Sequence, residues 1–395
     1  MPLISYSEQL FKPCLLSIFN MPSLNNKGQV AKTEPQKALP PYKAPIPNWL
    51  LISFVSIVVV ILVIVYIQSK VPPAIKPIPN GPTIVPTMKP AVSATPIPSE
   101  IPLATIVPIE YSNCGPLAKS ISLKNDLKTK SSCFTVLKEG LTIDCNGFKI
   151  EGVGTQNSTA IYSEFPKTTI KNCLISNFEI GIRIRNSDDN IIDGNTFSNN
   201  IGGALLEVSK KNSITNNNFF NHSQVALFLG EVTNSKVDNN FFDNGNKYGL
   251  QLVTSNDNEL SKNQIYRFNF GLQLTKSRGN AISSNNVSFN SAGIKLVDRS
   301  SGNKFTSNYI SSNKQMGIHV LDYSEGNIFE RNTIVLNEYG ANIRDSNNVF
   351  FNNNYACGNT IEDVECSYAV LNATGNICFL RATTCGFDCV QKCPK

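Results

Sequence analysis

Charge is scarce in this sequence. Asp, Glu, Lys and Arg make up 16% of its 395 residues, against about 25% in an average domain. Histidine is scarcer still: only His222 and His319 occur, and the one tryptophan is Trp49. No Cys-x-x-Cys pair is present, so with two histidines a zinc site lacks its usual ligands. Neither a GxxxxGK[ST] loop nor a strand-linked GxGxxG occurs, which removes the common nucleotide sites. Neither histidine neighbours a nucleophile motif, so a hydrolytic triad has no support. The formal charge is +6, but it misleads about partners. From Ile109 onward 27 Lys and Arg face 26 Asp and Glu, so the excess lies in the N-terminal third. A nucleic-acid binder concentrates basic residues on its folded domain, and no such partner is expected. No cofactor or metal is expected either.

What the chain does contain is sharply segregated. Residues 1–48 are polar, with Pro and Lys and no sustained periodicity, and read as a disordered tail. Residues 49–67 (WLLISFVSIVVVILVIVYI) carry no charge. At 1.5 Å per residue such a helix is about 28 Å long, enough for one membrane span. A cleavable signal peptide would have a shorter leading region and a small-x-small site after it, so a signal anchor is favoured. Residues 68–111 hold 11 of the 22 prolines and read as a stiff extracellular linker of polyproline II type. Cysteine sets the orientation: Cys14 precedes the hydrophobic segment, and the other ten follow it. An even set on one side implies disulfides in an oxidising compartment. The N-terminus is therefore expected in the cytoplasm and the C-terminal domain outside the cell.

Asparagine replaces charge as the source of polarity. Between Asn172 and Asn354 there are 37, about one residue in five. Asn is depleted in strands and enriched at turns, so this load implies a repeated turn. The repeat is visible as ITNNNF (214–219), VDNNFF (237–242), LSKNQI (260–265), ISSNNV (282–287), FTSNYI (305–310), FERNTI (329–334) and FFNNNY (350–355). We align its inner column as Asn195, Asn217, Asn240, Asn263, Asn285, Asn308, Asn332 and Asn353. A second motif, Gly-apolar-x-apolar, follows in each unit, as in GLQL (249–252 and 271–274), GIKL (293–296) and GIHV (317–320). A closing Asn ends the unit at 190, 212, 234, 258, 280, 303, 327 and 348. A period of 22–23 residues with twofold alternation inside it predicts one coil of short parallel strands per repeat. Stacked coils place equivalent residues about 4.8 Å apart, so the Asn column becomes a hydrogen-bonded ladder. A leucine-rich repeat has a similar period but needs a Leu-rich frame and a helical return, and no helical stretch of ten residues appears. The expected fold is all-β: a right-handed parallel β-helix of nine to ten rungs over 141–356.

These rungs resemble the parallel β-helix repeats of the NosD-type family and of the carbohydrate-binding and sugar-hydrolase family. The leading segment, Cys114, ISLKNDL (121–127), Cys133 and LTIDCNGFKIEG (141–152), is similar to their opening cap. The resemblance covers roughly residues 114–360. It implies the fold but leaves activity open, because such repeats serve adhesins, lyases, hydrolases, epimerases and accessory proteins alike. Residues 112–140 are expected to cap the N-terminal end, with a Cys114–Cys133 bridge. Cys145 and Cys173 lie at near-equivalent positions of adjacent rungs and can pair. Residues 357–395 carry Cys357, Cys366, Cys378, Cys385, Cys389 and Cys393 without a repeat. They read as a disulfide-stapled C-terminal cap of undetermined connectivity.

Two columns are candidate sites. Asp298, Asp322 and Asp345 each follow the second strand by two residues on successive rungs, in a column continued by Lys210, Glu231, Thr254 and Lys276. Such carboxylates can begin Asx turns, share a cation or act on a substrate. Arg183, Glu207, Phe228, Gln251, Gln273, Lys295, His319 and Asn342 form the second, an outward polar row able to hydrogen-bond sugar hydroxyls. Sequons occur at Asn157, Asn221, Asn286 and Asn372, with Asn221 expected to turn inward. The leading expectation is a membrane-anchored surface protein for adhesion or glycan binding, without enzymatic activity. A polysaccharide lyase, hydrolase or epimerase using the Asp column is the alternative, and an accessory protein of a membrane complex is a third.

Overall fold

In the computed structural model the described residues are 109–111, 113–378, 385–387, 389, 390 and 393. The tail, the hydrophobic segment 49–67 and almost all of the linker lie outside them. No helix occurs among the described residues, hence none able to cross a membrane. The chain winds as a right-handed parallel β-helix of about eleven turns, each visiting three sheets in the same order. Sheet 1 has 13 strands and sheets 2 and 3 have 12 each. A representative turn runs Ala281–Ser283 (sheet 1), Asn286–Ser288 (sheet 2) and Ala292–Val297 (sheet 3). Every pairing is with the turn above or below, in parallel and in register, such as Ile282 with Phe305 and Ile294 with Ile318.

The coil exceeds the nine to ten rungs predicted, and the excess lies in the segments expected to cap it. Ile121–Leu123, Leu127–Lys128 and Phe134–Val136 form a complete turn within 112–140. At the other end, Glu362–Ser367, Leu371–Thr374 and Ile377–Cys378 continue the three sheets past Cys357. The C-terminal turn keeps a ladder residue, Asn376, but its cysteines mask the repeat, whereas the N-terminal turn lies beyond Cys173, where the ladder opens. Five disulfides tie both ends: Cys114–Cys133, Cys145–Cys173, Cys357–Cys393, Cys366–Cys385 and Cys378–Cys389.

Twofold alternation sends one apolar column inward from each short strand. Sheet 2 supplies Phe197, Phe219 and Phe242, stacked at 4.6 and 4.8 Å. Sheet 1 supplies Ile192, Ile214, Val237, Leu260, Ile282, Phe305 and Phe329, all buried. Sheet 3 strands are longer and send two such columns inward, Leu250–Leu272–Ile294 and Leu252–Leu274–Leu296 among them.

The corner from sheet 1 to sheet 2 takes two residues, and they have different tasks. The first turns the chain in the left-handed region: Asn216, Asn239, Lys262, Ser284, Ser307 and Arg331 all have φ of 54–57°. The second points inward and builds the ladder. The backbone N–H and side-chain amide of Asn240 both donate to Asn263 Oδ1 at 3.0 Å. Asn263 does the same to Asn285 at 2.9 and 3.0 Å, and its amide also donates to the Val237 carbonyl. The ladder runs unbroken through nine asparagines: 195, 217, 240, 263, 285, 308, 332, 354 and 376. Cys173 opens it, donating its N–H to Asn195 Oδ1.

This geometry corrects three positions. Asn353 is the turning residue, exposed with φ 53°, and Asn354 is the ladder member. At the corner closing each turn, Asn234 and Asn348 likewise hold positive φ, while Ser235 and Val349 take the inward place. Left-handed backbone and inward hydrogen bonding both favour Asn, so adjacent asparagines cannot be ranked from composition. Asn221, expected inward, is also exposed, with φ 57°.

Candidate functional site

The outer surface of sheet 3 and the corner that follows it carry both candidate columns. In register, the central outward row reads Tyr162, Arg183, Leu205, Phe228, Gln251, Gln273, Lys295, His319, Asn342 and Glu365. Glu207 is therefore not in the row; Leu205 occupies that rung. Glu207 stands two residues further along, opposite Arg185, because a rung starting with Gly-Gly-Ala shifts the match by two. It still reaches the row diagonally, with its carboxylate 2.7 Å from Arg183 Nε.

This row is recessed rather than fully solvated. Gln273 is 8% exposed and Asn342 only 1%. The Asn342 amide donates to the Glu365 carboxylate, while its Oδ1 is buried without a partner. Burial, then the cations Lys295 and Arg344, push the His319 pKa down to about 4, so the ring is neutral at pH 7. Beside the row runs an edge with aromatic faces: Tyr248 stacks on Phe270 at 5.5 Å, and Lys295 Nζ sits 4.8 Å from the Phe270 ring centroid.

The aspartates lie at the far edge of the same sheet. Asp298, Asp322 and Asp345 stack on three successive turns, each exposed and each with positive φ (55, 56 and 46°). They share a column with Asn186, Val208, Glu231, Thr254 and Lys276, which have the same backbone conformation. The rung assigned to Lys210 is thus held by Val208. No ion pair involves the three carboxylates, and no three His, Cys, Asp or Glu side chains converge on a metal position, among the described residues.

Position by position, this corner shows something neither column contains. The turning residue is normally followed at once by an inward Ser, as in Lys276–Ser277 and Asp345–Ser346. The serines form their own ladder: the Ser277 N–H donates to Ser300 Oγ, Ser300 to Ser324 and Ser324 to Ser346. In two adjacent turns one extra residue stands between turning residue and serine: Arg299 and Tyr323, with φ 61 and 58°. An open groove of about 400 Å³ lies here, lined by Arg278, Arg299, Ser301, Tyr323 and Glu325. The signal was present in sequence as the mismatch of TKSRGN with VDRSSGN and LDYSEGN.

The model of the right-handed β-helix region matches residues 151–310, and that of the periplasmic copper-binding protein NosD matches residues 268–376. The chain is a right-handed β-helix repeat protein of the NosD type. Among solved structures, it is similar to the periplasmic alginate epimerase AlgG, at 16% identity over 67% of this chain and 76% of that one, with a TM-score of 0.51. It is also similar to PfbA, a surface adhesin of Streptococcus pneumoniae, at 13% identity over 68% and 82%, with a TM-score of 0.47. Identities this low show the fold alone. No curated protein matches the sequence. Copper does not fit the donors of this NosD-type helix. Its ten described cysteines are in disulfides, His222 is sealed inside at 1% exposure, and His319 has no second ligand of its kind beside it.

Proposed function

We propose that this protein displays its β-helix outside the cell, held by the segment 49–67, and binds glycan along the outer face of sheet 3 without chemical turnover. The observation that carries the reading is the recessed row itself. Gln251, Gln273, Lys295, His319 and Asn342 present donors and acceptors at the repeat distance, partly shielded from water. Shielding strengthens hydrogen bonds to a ligand relative to those of a fully wet surface. The rings of Tyr248 and Phe270 border the row and offer apolar faces for sugar C–H groups. Five disulfides among the described residues support an oxidising compartment.

The test is a glycan array probed with the full chain, alongside the Gln251→Ala/Gln273→Ala variant. The expected result is binding that falls about tenfold in the variant, equivalent to ~1.4 kcal/mol. Absence of binding to any glycan overturns the reading. Release of new reducing or unsaturated ends from a bound polysaccharide would transfer it to the enzymatic alternative.

A further inference from the structure

The corner after sheet 3 is the place where this β-helix departs from its own repeat, and the departure is built rather than ragged. Both inserted residues lie next to each other on adjacent turns, and both adopt a left-handed backbone although neither is glycine or asparagine. Left-handed non-glycine residues turn the chain at corners throughout this helix, but only here, among the described residues, do two stand in succession, as Asp298–Arg299 and Asp322–Tyr323. The surrounding ladder is undisturbed, since Ser300 and Ser324 keep their serine partners on both sides. The insertions therefore change only what is displayed: a guanidinium and a phenol, with Tyr323 62% exposed.

The backbone of the groove is pinned. Ser301 Oγ donates to the Arg299 carbonyl and accepts the Glu325 N–H, tying the two enlarged turns together. The Arg278 N–H donates to Asn256 Oδ1 on the turn below. The two guanidiniums are uncommitted. Arg183, Arg267 and Arg331 are paired with Glu207, Asp243 and Glu330, whereas Arg278 and Arg299, like Arg185 and Arg344, join no ion pair among the described residues. Glu325, the acid of the groove, is equally outside those pairs.

We propose that the Arg278–Arg299–Tyr323–Glu325 groove seats a carboxylate-bearing sugar unit of an acidic glycan. The planar guanidinium fork matches a carboxylate in bidentate geometry, more specifically than a lysine would. The Tyr323 ring supplies a face for the sugar ring. The Glu325 carboxylate can only accept hydrogen bonds, and it suits the hydroxyls of the same unit rather than a second anionic group. This inference rests on the glycan-binding reading of sheet 3 and gives it a chemical class.

The experiment measures binding by the full chain of three carboxylated probes: oligogalacturonate, a hyaluronan fragment and sialyllactose. Each is compared with its carboxyl-reduced counterpart. Arg299→Asn removes the charge while keeping a residue that tolerates positive φ; Arg278→Gln removes the other. For at least one probe we expect about tenfold weaker binding in each variant, and a similar loss when its carboxylate is reduced. The reduced probe should be insensitive to Arg299→Asn, which a merely structural role would not predict. If array glycans bind but no probe distinguishes its reduced form, or Arg299→Asn is neutral, the acidic subsite is wrong and the sheet 3 reading stands. If nothing binds, both fall.

Discussion

Two corners of the same coil obey opposite rules. Between sheets 1 and 2 the chain has two residues in which to turn, and from Asn195 to Asn376 every inward position is Asn. After sheet 3 the corner is longer, its inward positions are shared between a serine and an asparagine column, and it accepts Val232 in the first and Ser235 and Val349 in the second. Only this corner carries the insertions Arg299 and Tyr323. An additional residue in the tight corner would carry the Asn out of line with both neighbours and leave buried donors unpaired. In the roomier corner the extra residue loops outward and the ladder closes beneath it. The stack thus separates a corner that holds the fold from one that can display chemistry.

The strongest way to break that contrast is Asn263→Ala. It strips the acceptor from both Asn240 donors and the donor from the Val237 carbonyl. Each buried group left unpaired costs about 1–3 kcal/mol, so a loss of about 3–5 kcal/mol is expected in chemical denaturation. Lys262→Ala, at the exposed turning position beside it, should cost about 1–2 kcal/mol at most. Equal effects would mean that the ladder is not what holds the corner.

The third corner, from sheet 2 to sheet 3, sharpens the comparison through pH. Its inward Asn column (Asn290, Asn313, Asn337, Asn359) is continuous toward the C-terminus. Toward the N-terminus it is interrupted by Phe268, Gly245 and His222, the Phe268 ring lying under Gly245. Burial pushes the His222 pKa down to about 4, and its Nε2 has no partner. The unfolded ring titrates near 6.5, so between 6.5 and 4 the unfolded state binds the extra proton. Stability should therefore be full above 6.5 and fall on acidification toward 4, by on the order of 3 kcal/mol. His222→Asn would restore the column, and its denaturation midpoint should depend less on pH across that window. An unchanged slope would assign the acid sensitivity elsewhere.

Glycine separates steric from conformational cost. A Cβ on Gly293 would lie 2.6 Å from the Gly317 carbonyl oxygen, and Gly293→Ala should destabilise by about 1–3 kcal/mol through overpacking. Gly302 has open space around it but φ +66°, so Gly302→Ala should cost only about 1–2 kcal/mol. The smallest effect belongs to the inserted residue. Deleting Arg299 returns the corner to its regular length and removes one strained residue, so melting should show no loss, or a gain of about 1 kcal/mol. A large destabilisation would make Arg299 part of the scaffold.

Much of this is legible in the sequence. Twofold alternation and the 22–23-residue period define the three-sheet coil. Seven of the nine ladder positions follow from spacing; Asn376 lies past the repeats read from it, and the run Asn352–Asn353–Asn354 offers Asn to two tasks at once. Glu207 was placed in the outward row because the Gly-apolar-x-apolar frame is blurred in GGALLEV. The Asp column was visible and the groove beside it was not, because the search followed what repeats. Arg299 and Tyr323 are read as members of a site only when compared with the turns that lack them.

The sequence by itself determined the period, the parallel stacking and the chemistry of the interior, because those follow from which residues alternate and which recur. Tertiary structure alone decided which of two neighbouring asparagines turns the chain and which bonds across it, how the six C-terminal cysteines pair, and how deeply the sheet 3 row is recessed. The reason is physical. Periodicity records what each turn shares with the next, whereas register, backbone handedness and burial depend on contacts between turns that no single repeat contains.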